Sequence, residues 1–194
     1  MVWPGAEPPV LESVATFEVN HFRETRLRLF SHTGTHVDAP AHMLKDGKFL
    51  ENLPVEQFFG RARVMDCRCY APGACIPVED LPPLENLDFL LLSTGWEEKW
   101  GSAEYLGKFP VLSRAAVERI AGSSLKGVGV DAMSVDPMDS RDYFAHKTLL
   151  GAEMIILENL AGMAPLLGAE VELIALPMKY LGADGAPVRV VARA

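Results

Sequence analysis

Cysteine is scarce in this chain, and basic charge is in deficit. Cys67, Cys69 and Cys75 are the only three cysteines and share one short segment. An odd, clustered set gives no disulfide framework, and three thiols are too few for a thiolate-only metal centre. Cys67 and Cys69 follow what reads as a strand through Ala62, Val64 and Asp66, so they are expected as free, packed or half-exposed thiols without chemistry. Lys and Arg total 18 against 26 Asp and Glu, a net charge of −8. That balance excludes the basic footprint nucleic acid requires and disfavours an anionic membrane surface. No apolar run reaches the roughly 18 residues of a spanning helix, and the opening Met1-Val2-Trp3-Pro4-Gly5 lacks the regions of a secretory signal, so the cytoplasm is the expected location. Internal repeats and low-complexity tracts are missing too. With 49% hydrophobic content, the expectation is one domain, residues 1–194, with an ample core.

Histidine is also rare, five in all, which makes its distribution informative. Three of the five fall in His32-Thr33-Gly34-Thr35-His36-Val37-Asp38-Ala39-Pro40-Ala41-His42. His32 and His36 are four apart and would share a helix face, as in helical zinc motifs. Gly34, Pro40 and the β-branched Thr35 and Val37 argue against a helix, and the preceding Arg26-Leu27-Arg28-Leu29 alternates with period two. The segment therefore reads as a strand running into a bent loop that turns its side chains toward a common point. Imidazole and carboxylate suit Zn²⁺ or Mn²⁺, and three protein ligands leave a position for water. The expected ligands are His32, His36 and Asp38, with His42 close enough to exchange a proton with that water. The bland alternative is a set of ordinary turn and surface histidines.

With these residues in place the chain resembles the cyclase family of metal-dependent hydrolases, whose signature His-x-Gly-Thr-His-x-Asp-x-Pro-x-His is matched at every defined position. Trp3-Pro4-Gly5, Thr94-Gly95-Trp96, Gly127 to Asp131 with Ser134 to Pro137, His146 with Glu158-Asn159-Leu160, and Ile174 to Pro177 are similar to family landmarks in the family's order. The resemblance implies His32, His36, Asp38, His146 and Glu158 as the metal site, His42 as proton donor and acceptor, and Trp3 as a substrate contact. Family members carry a further stretch with a first strand ahead of the Trp-Pro-Gly segment, so the hold on Trp3 is the open question of that carry-over. The implied fold is a single mixed α/β domain, a sheet curling toward a barrel with flanking helices, of the swivelling β/β/α type. The implied activity is hydrolysis of a small aromatic amide, foremost N-formylkynurenine to kynurenine and formate, with one or two Zn²⁺ ions per subunit or Mn²⁺ in their place. A homodimer or larger homo-oligomer is implied as well. Opening of a cyclic amide such as isatin, action on another amide or lactone, and a metal-stabilised binding protein without turnover stay open.

The remaining segments give context. Phe89 to Ser93 and Val128 to Val130 read as buried strands, and the proline-rich 71–87 as a surface connection with a helical turn near Val78 to Leu81. Ser113 to Ile120 reads as an amphipathic helix with a serine cap, and His146 to Met154 as a second helix leading into the strand Ile155 to Leu157. Val171 to Leu176 and Val188 to Val191 read as strands flanking an Asp184-Gly185 turn. Spacing alone does not bring His146 and Glu158 to the first motif. Asp131 and Asp136 are expected to brace loops through backbone amides rather than bind metal. Trp96 and Trp100 are expected in core packing or an oligomer contact, and His21 is incidental.

Overall fold

The computed structural model describes residues 1–194. The first element is a ribbon of two antiparallel strands, β1 (Val10–Ala15) and β2 (Glu24–Arg28), joined through the one-turn helix α1 (Phe17–Asn20). Nearly every residue of the ribbon is exposed, including Leu11, Val19, Phe22 and Leu27. The alternation seen at Arg26 to Leu29 is therefore strand pairing without a buried face.

After the ribbon come β3 (His36–Asp38), β4 (Phe59–Asp66), the short β5 (Cys75–Ile76), β6 (Phe89–Ser93), β7 (Val111–Leu112), α2 (Arg114–Ala121), β8 (Gly127–Val130), α3 (Phe144–Gly151), β9 (Ile155–Glu158), β10 (Glu170–Ile174), β11 (Gly185–Pro187) and β12 (Val191–Arg193). Eight of these form one mixed sheet in the order β11-β3-β9-β8-β6-β4-β10-β12, while β5 and β7 make a separate parallel pair. The sheet curls into a half-barrel. Its centre, β4-β6-β8-β9, is parallel, and parallel neighbours need crossovers: α2 carries the one from β6 to β8, α3 the one from β8 to β9, and the proline-rich connection 67–88 the one from β4 to β6.

Burial follows from that position. Phe89-Leu90-Leu91-Leu92-Ser93 and Ile155-Ile156-Leu157-Glu158 are buried along their whole length, as strands covered on both faces must be. Alternate side chains go to opposite sides: Leu90, Leu92, Val128 and Ile156 meet Val117, Ile120, Leu149 and Leu150 of the helices, and Phe89, Leu91, Ile155 and Leu157 face Val171, Leu173, Leu50 and Phe58 inside the curl. By contrast β10 lies near the sheet edge and alternates exposed Glu170, Glu172 and Ile174 with buried Val171 and Leu173.

α2 begins at the expected cap, with Ser113 Oγ accepting from the Ala116 amide at 3.2 Å. Several boundaries differ from expectation, among them the strand expected at Val171 to Leu176, which ends at Ile174, and that expected at Val188 to Val191, of which only Val191 is in a strand. The second helix is Phe144–Gly151, ending before Met154 because Glu153 takes a left-handed conformation at φ 58°. The C-terminal strands are Gly185–Pro187 and Val191–Arg193, so Gly185 belongs to a strand rather than a turn. No helix is long and apolar enough to cross a membrane.

Candidate active site and metal centre

The motif is part loop and part strand. Residues 29–35 form the bend, with Gly34 at φ 68°, a conformation open to glycine at no steric cost. His36–Asp38 is then a strand rather than the loop that its Gly and Pro content predicted, because it is paired on both sides, by β9 and β11. The period-two alternation of a strand puts His36 and Asp38 on one face. Glu158 lies directly opposite His36 in the β3–β9 register, so pairing brings it to the motif. His146 arrives from the first turn of α3.

Four of these side chains meet in a buried knot. His36 Nε2 lies 3.2 Å from Asp38 Oδ1 and 3.4 Å from Glu158 Oε2, while His146 Nε2 lies 3.2 Å from Glu158 Oε1 and 3.7 Å from Asp38 Oδ2. The other ring nitrogens are tied back. His36 Nδ1 donates to the Gly34 carbonyl at 2.8 Å, and His146 Nδ1 donates to Asp136 Oδ2 at 2.7 Å. Fixing one nitrogen as the donor leaves the other as a lone pair aimed at the carboxylates, the arrangement in which imidazole binds a metal. His36 Nε2 and Asp38 Oδ2 are the buried side-chain atoms without a hydrogen-bond partner. Such orphans are costly, and a divalent cation between imidazoles and carboxylates satisfies both, so the residues present fit a metal ion.

The electrostatics point the same way. At His36 and His146 burial disfavours a charge, yet the neighbouring carboxylates outweigh it, raising His36 to about 9 and His146 to about 12. Burial would likewise raise Asp38, but the surrounding imidazoles hold its carboxyl well below the ordinary range. Three carboxylates in a dry site attract positive charge, whether proton or metal.

His32 and His42 sit at the cavity side of the knot. His32 Nδ1 is 2.7 Å from Asp38 Oδ1, and its Nε2 is 3.1 Å from Asp184 Oδ2. The His42 ring stacks on His32 with centroids 3.9 Å apart, and burial pushes it down to about 4. Donor atoms of His32, His36 and Asp38 cluster within 4.8 Å of one another, as do those of Asp38, His42 and His146. A cavity of about 510 Å³ opens over these residues, walled by Val2, Trp3, Phe30, Met43, Met133 and Tyr143. Trp3 is 40% exposed and lies on that wall.

The bracing carboxylates behave as their residue types predict, with one addition. Asp131 accepts from the amides of Thr94, Gly95 and Trp96. Asp136 accepts from the amides of Ala145 and His146 and also orients the His146 ring. Asp184 carried no signal, since Asp-Gly reads as a turn. Asn159 was legible only by its place after Glu158. It donates to the Gly34 carbonyl at 2.9 Å and accepts from Tyr105 at 2.8 Å, tying the motif loop to the sheet. Trp96 is buried, with Nε1 donating to the Tyr105 carbonyl, whereas Trp100 is half-exposed.

The family model "Cyclase", described as "Putative cyclase", matches residues 1–137. The chain belongs to this family. It is 37% identical over 173 residues to a kynurenine formamidase of Salinibacter ruber, covering 86% of this chain and 78% of the relative. A kynurenine formamidase of Bacillus mycoides is 33% identical over 198 residues, covering 98% and 90%. Among solved structures, isatin hydrolase A from Ralstonia solanacearum superposes with a TM-score of 0.86 at 25% identity, over 95% of this chain and 81% of that one.

Proposed function

We propose that the protein is a metal-dependent amide hydrolase, an arylformamidase that converts N-formylkynurenine to kynurenine and formate. The observation that carries this reading is the pair of orphaned atoms, His36 Nε2 and Asp38 Oδ2, buried next to a cavity with apolar walls that His36 and His42 line. The names of the curated relatives support the substrate. His32, His36 and Asp38 would hold one ion, and Asp38, His146 and Glu158 a second. Zn²⁺ is the first choice and Mn²⁺ the second, since both accept imidazole with carboxylate. A divalent ion supplies Lewis acidity there, lowering the pKa of water and offsetting charge that builds on the carbonyl oxygen.

The protein's own groups do the rest. His42 is neutral at pH 7, because burial holds it near 4, so it can take the proton of the attacking water. As the water oxygen bonds the formyl carbon and the carbon–nitrogen bond breaks, His42 returns the proton to the departing aniline nitrogen. An anilide anion is a poor leaving group, which makes this donation necessary. Trp3, Phe30 and Tyr143 offer aromatic surface to the aryl ring. The exposed apolar side chains of the β1–β2 ribbon support a homo-oligomer.

The test is kcat/KM for N-formylkynurenine with protein reconstituted with Zn²⁺ or Mn²⁺ beside a chelated control. His42→Ala is expected to lose about 10²–10⁴-fold in turnover with its metal retained; full activity in that variant overturns the proton-transfer role. Likeness to an isatin hydrolase favours a second reading, ring opening of a cyclic amide. Metal-loaded protein that leaves N-formylkynurenine intact and opens isatin establishes it.

A further inference from the structure

Asp184 lies 152 residues from His32 in the chain, and nothing in its local sequence marks it. Its Oδ2 oxygen nevertheless faces two catalytic-site rings at once, 3.1 Å from His32 Nε2 and 3.9 Å from His42 Nδ1. The residue is well anchored. Its carbonyl accepts from the Ala39 amide at 2.9 Å, one residue beyond Asp38, and the adjoining amides of Gly182 and Ala183 bond to Glu51. From Gly185 onward the chain pairs with β3 in register with Asp38. Gly185 itself leaves room for the imidazole, since a Cβ there would stand 2.5 Å from His32 Cε1. Backbone and side chain of this short stretch together form a seat for the stacked His32–His42 pair.

We propose that Asp184 is the positioning residue of the proton-transfer step, its single Oδ2 oxygen orienting both His32 and His42. At 3.9 Å the carboxylate is beyond hydrogen-bond reach of His42 Nδ1 and acts through its charge, which favours the proton on that nitrogen and leaves Nε2 as the atom that exchanges the proton. The same oxygen lies 3.1 Å from His32 Nε2, while His32 Nδ1 lies 2.7 Å from Asp38 Oδ1, so the His32 ring is clamped between two carboxylates. The Asp184 side chain is 40% exposed, so it can follow His42 as the ring moves between proton acceptor and donor without breaking core packing. This role rests on the proposed amide hydrolysis, because only a poor leaving group needs a well-aimed donor.

The experiment compares Asp184→Asn and Asp184→Ala with the parent protein, all loaded with Zn²⁺. Hydrolysis of N-formylkynurenine, whose aniline must be protonated to leave, is set against that of a p-nitrophenyl ester, whose phenolate leaves unaided. Both variants are expected to lower the anilide-to-ester ratio of kcat/KM by on the order of 10-fold or more, with metal content unchanged. Long-range ¹H–¹⁵N correlation spectra of the five imidazoles provide a readout independent of turnover: His42 is expected as the Nδ1–H tautomer in the parent and as a mixture in Asp184→Ala. Equal losses on both substrates with loss of metal would assign Asp184 to the metal site alone and overturn the proposal, as would an unchanged ratio or an unchanged tautomer. A parent protein inactive on N-formylkynurenine while its His42 tautomer responds to Asp184 would instead refute the substrate and leave the positioning role standing.

Discussion

Asp38 and Asp131 are both fully buried carboxylates, carried at the ends of strands that flank the same central strand β9, and they are solvated in opposite ways. Asp131 is surrounded by donors of the main chain, the amides of Thr94, Gly95 and Trp96, with the Thr94 hydroxyl added. Asp38 faces three imidazoles, two from its own motif and one from α3, and keeps Oδ2 without a partner. Burial opposes ionisation at both. At Asp131 it prevails and raises the carboxyl; at Asp38 the imidazoles of His36, His146 and His32 prevail and hold it far below its ordinary value. A buried carboxylate saturated by backbone amides holds a loop. One confronted by fixed lone pairs and left incomplete is arranged for a cation.

The sharpest way to break this contrast is to remove each carboxylate in turn. Asp38→Ala is expected to lose bound metal and to reduce kcat/KM on the order of 10³-fold or more. Metal analysis after desalting checks it; a variant that retains stoichiometric metal sinks the assignment. Asp131→Ala should do the reverse. It strands three buried amides, at a cost of about 3–5 kcal/mol in urea unfolding, and the folded fraction should keep its metal. Equal metal loss in the two variants would erase the distinction. Asp136→Asn tests the intermediate case, since Asp136 braces backbone amides and a ring nitrogen together. Removing its charge is expected to weaken metal affinity by about 10–100-fold, read by competition with a fluorescent chelator, with a smaller effect on unfolding than at Asp131.

How much of this was legible in the sequence depended on how local the information was. His32, His36, Asp38 and His42 stand out because ligand-type residues crowd a short segment with Gly34 and Pro40, and the buried strands at 89–93 and 155–157 because apolar runs of that length have few alternatives. Ser113 announced α2 through the cap its hydroxyl makes. His146 and Glu158 became candidates through family resemblance, since the cross-strand register that sets Glu158 opposite His36 is not written in either segment. Asp184 was illegible for the same reason, because its meaning lies in the antiparallel pairing of β11 with β3. The strand character of His36–Asp38 was hidden by a composition suited to loops, and tertiary pairing on both edges overrode it.

The position of β3 in the sheet carries a consequence for how the molecule is made. This early strand has two partners, β9 and β11, and both are encoded near the far end of the chain. At a synthesis rate of roughly 5–20 residues per second, His36 to Asp38 wait roughly 6–24 s for the first of them. The cluster of His36, Asp38, His146 and Glu158 therefore comes into being only when the last quarter of the chain has docked, and an ion bound there would stabilise a finished fold instead of guiding its assembly.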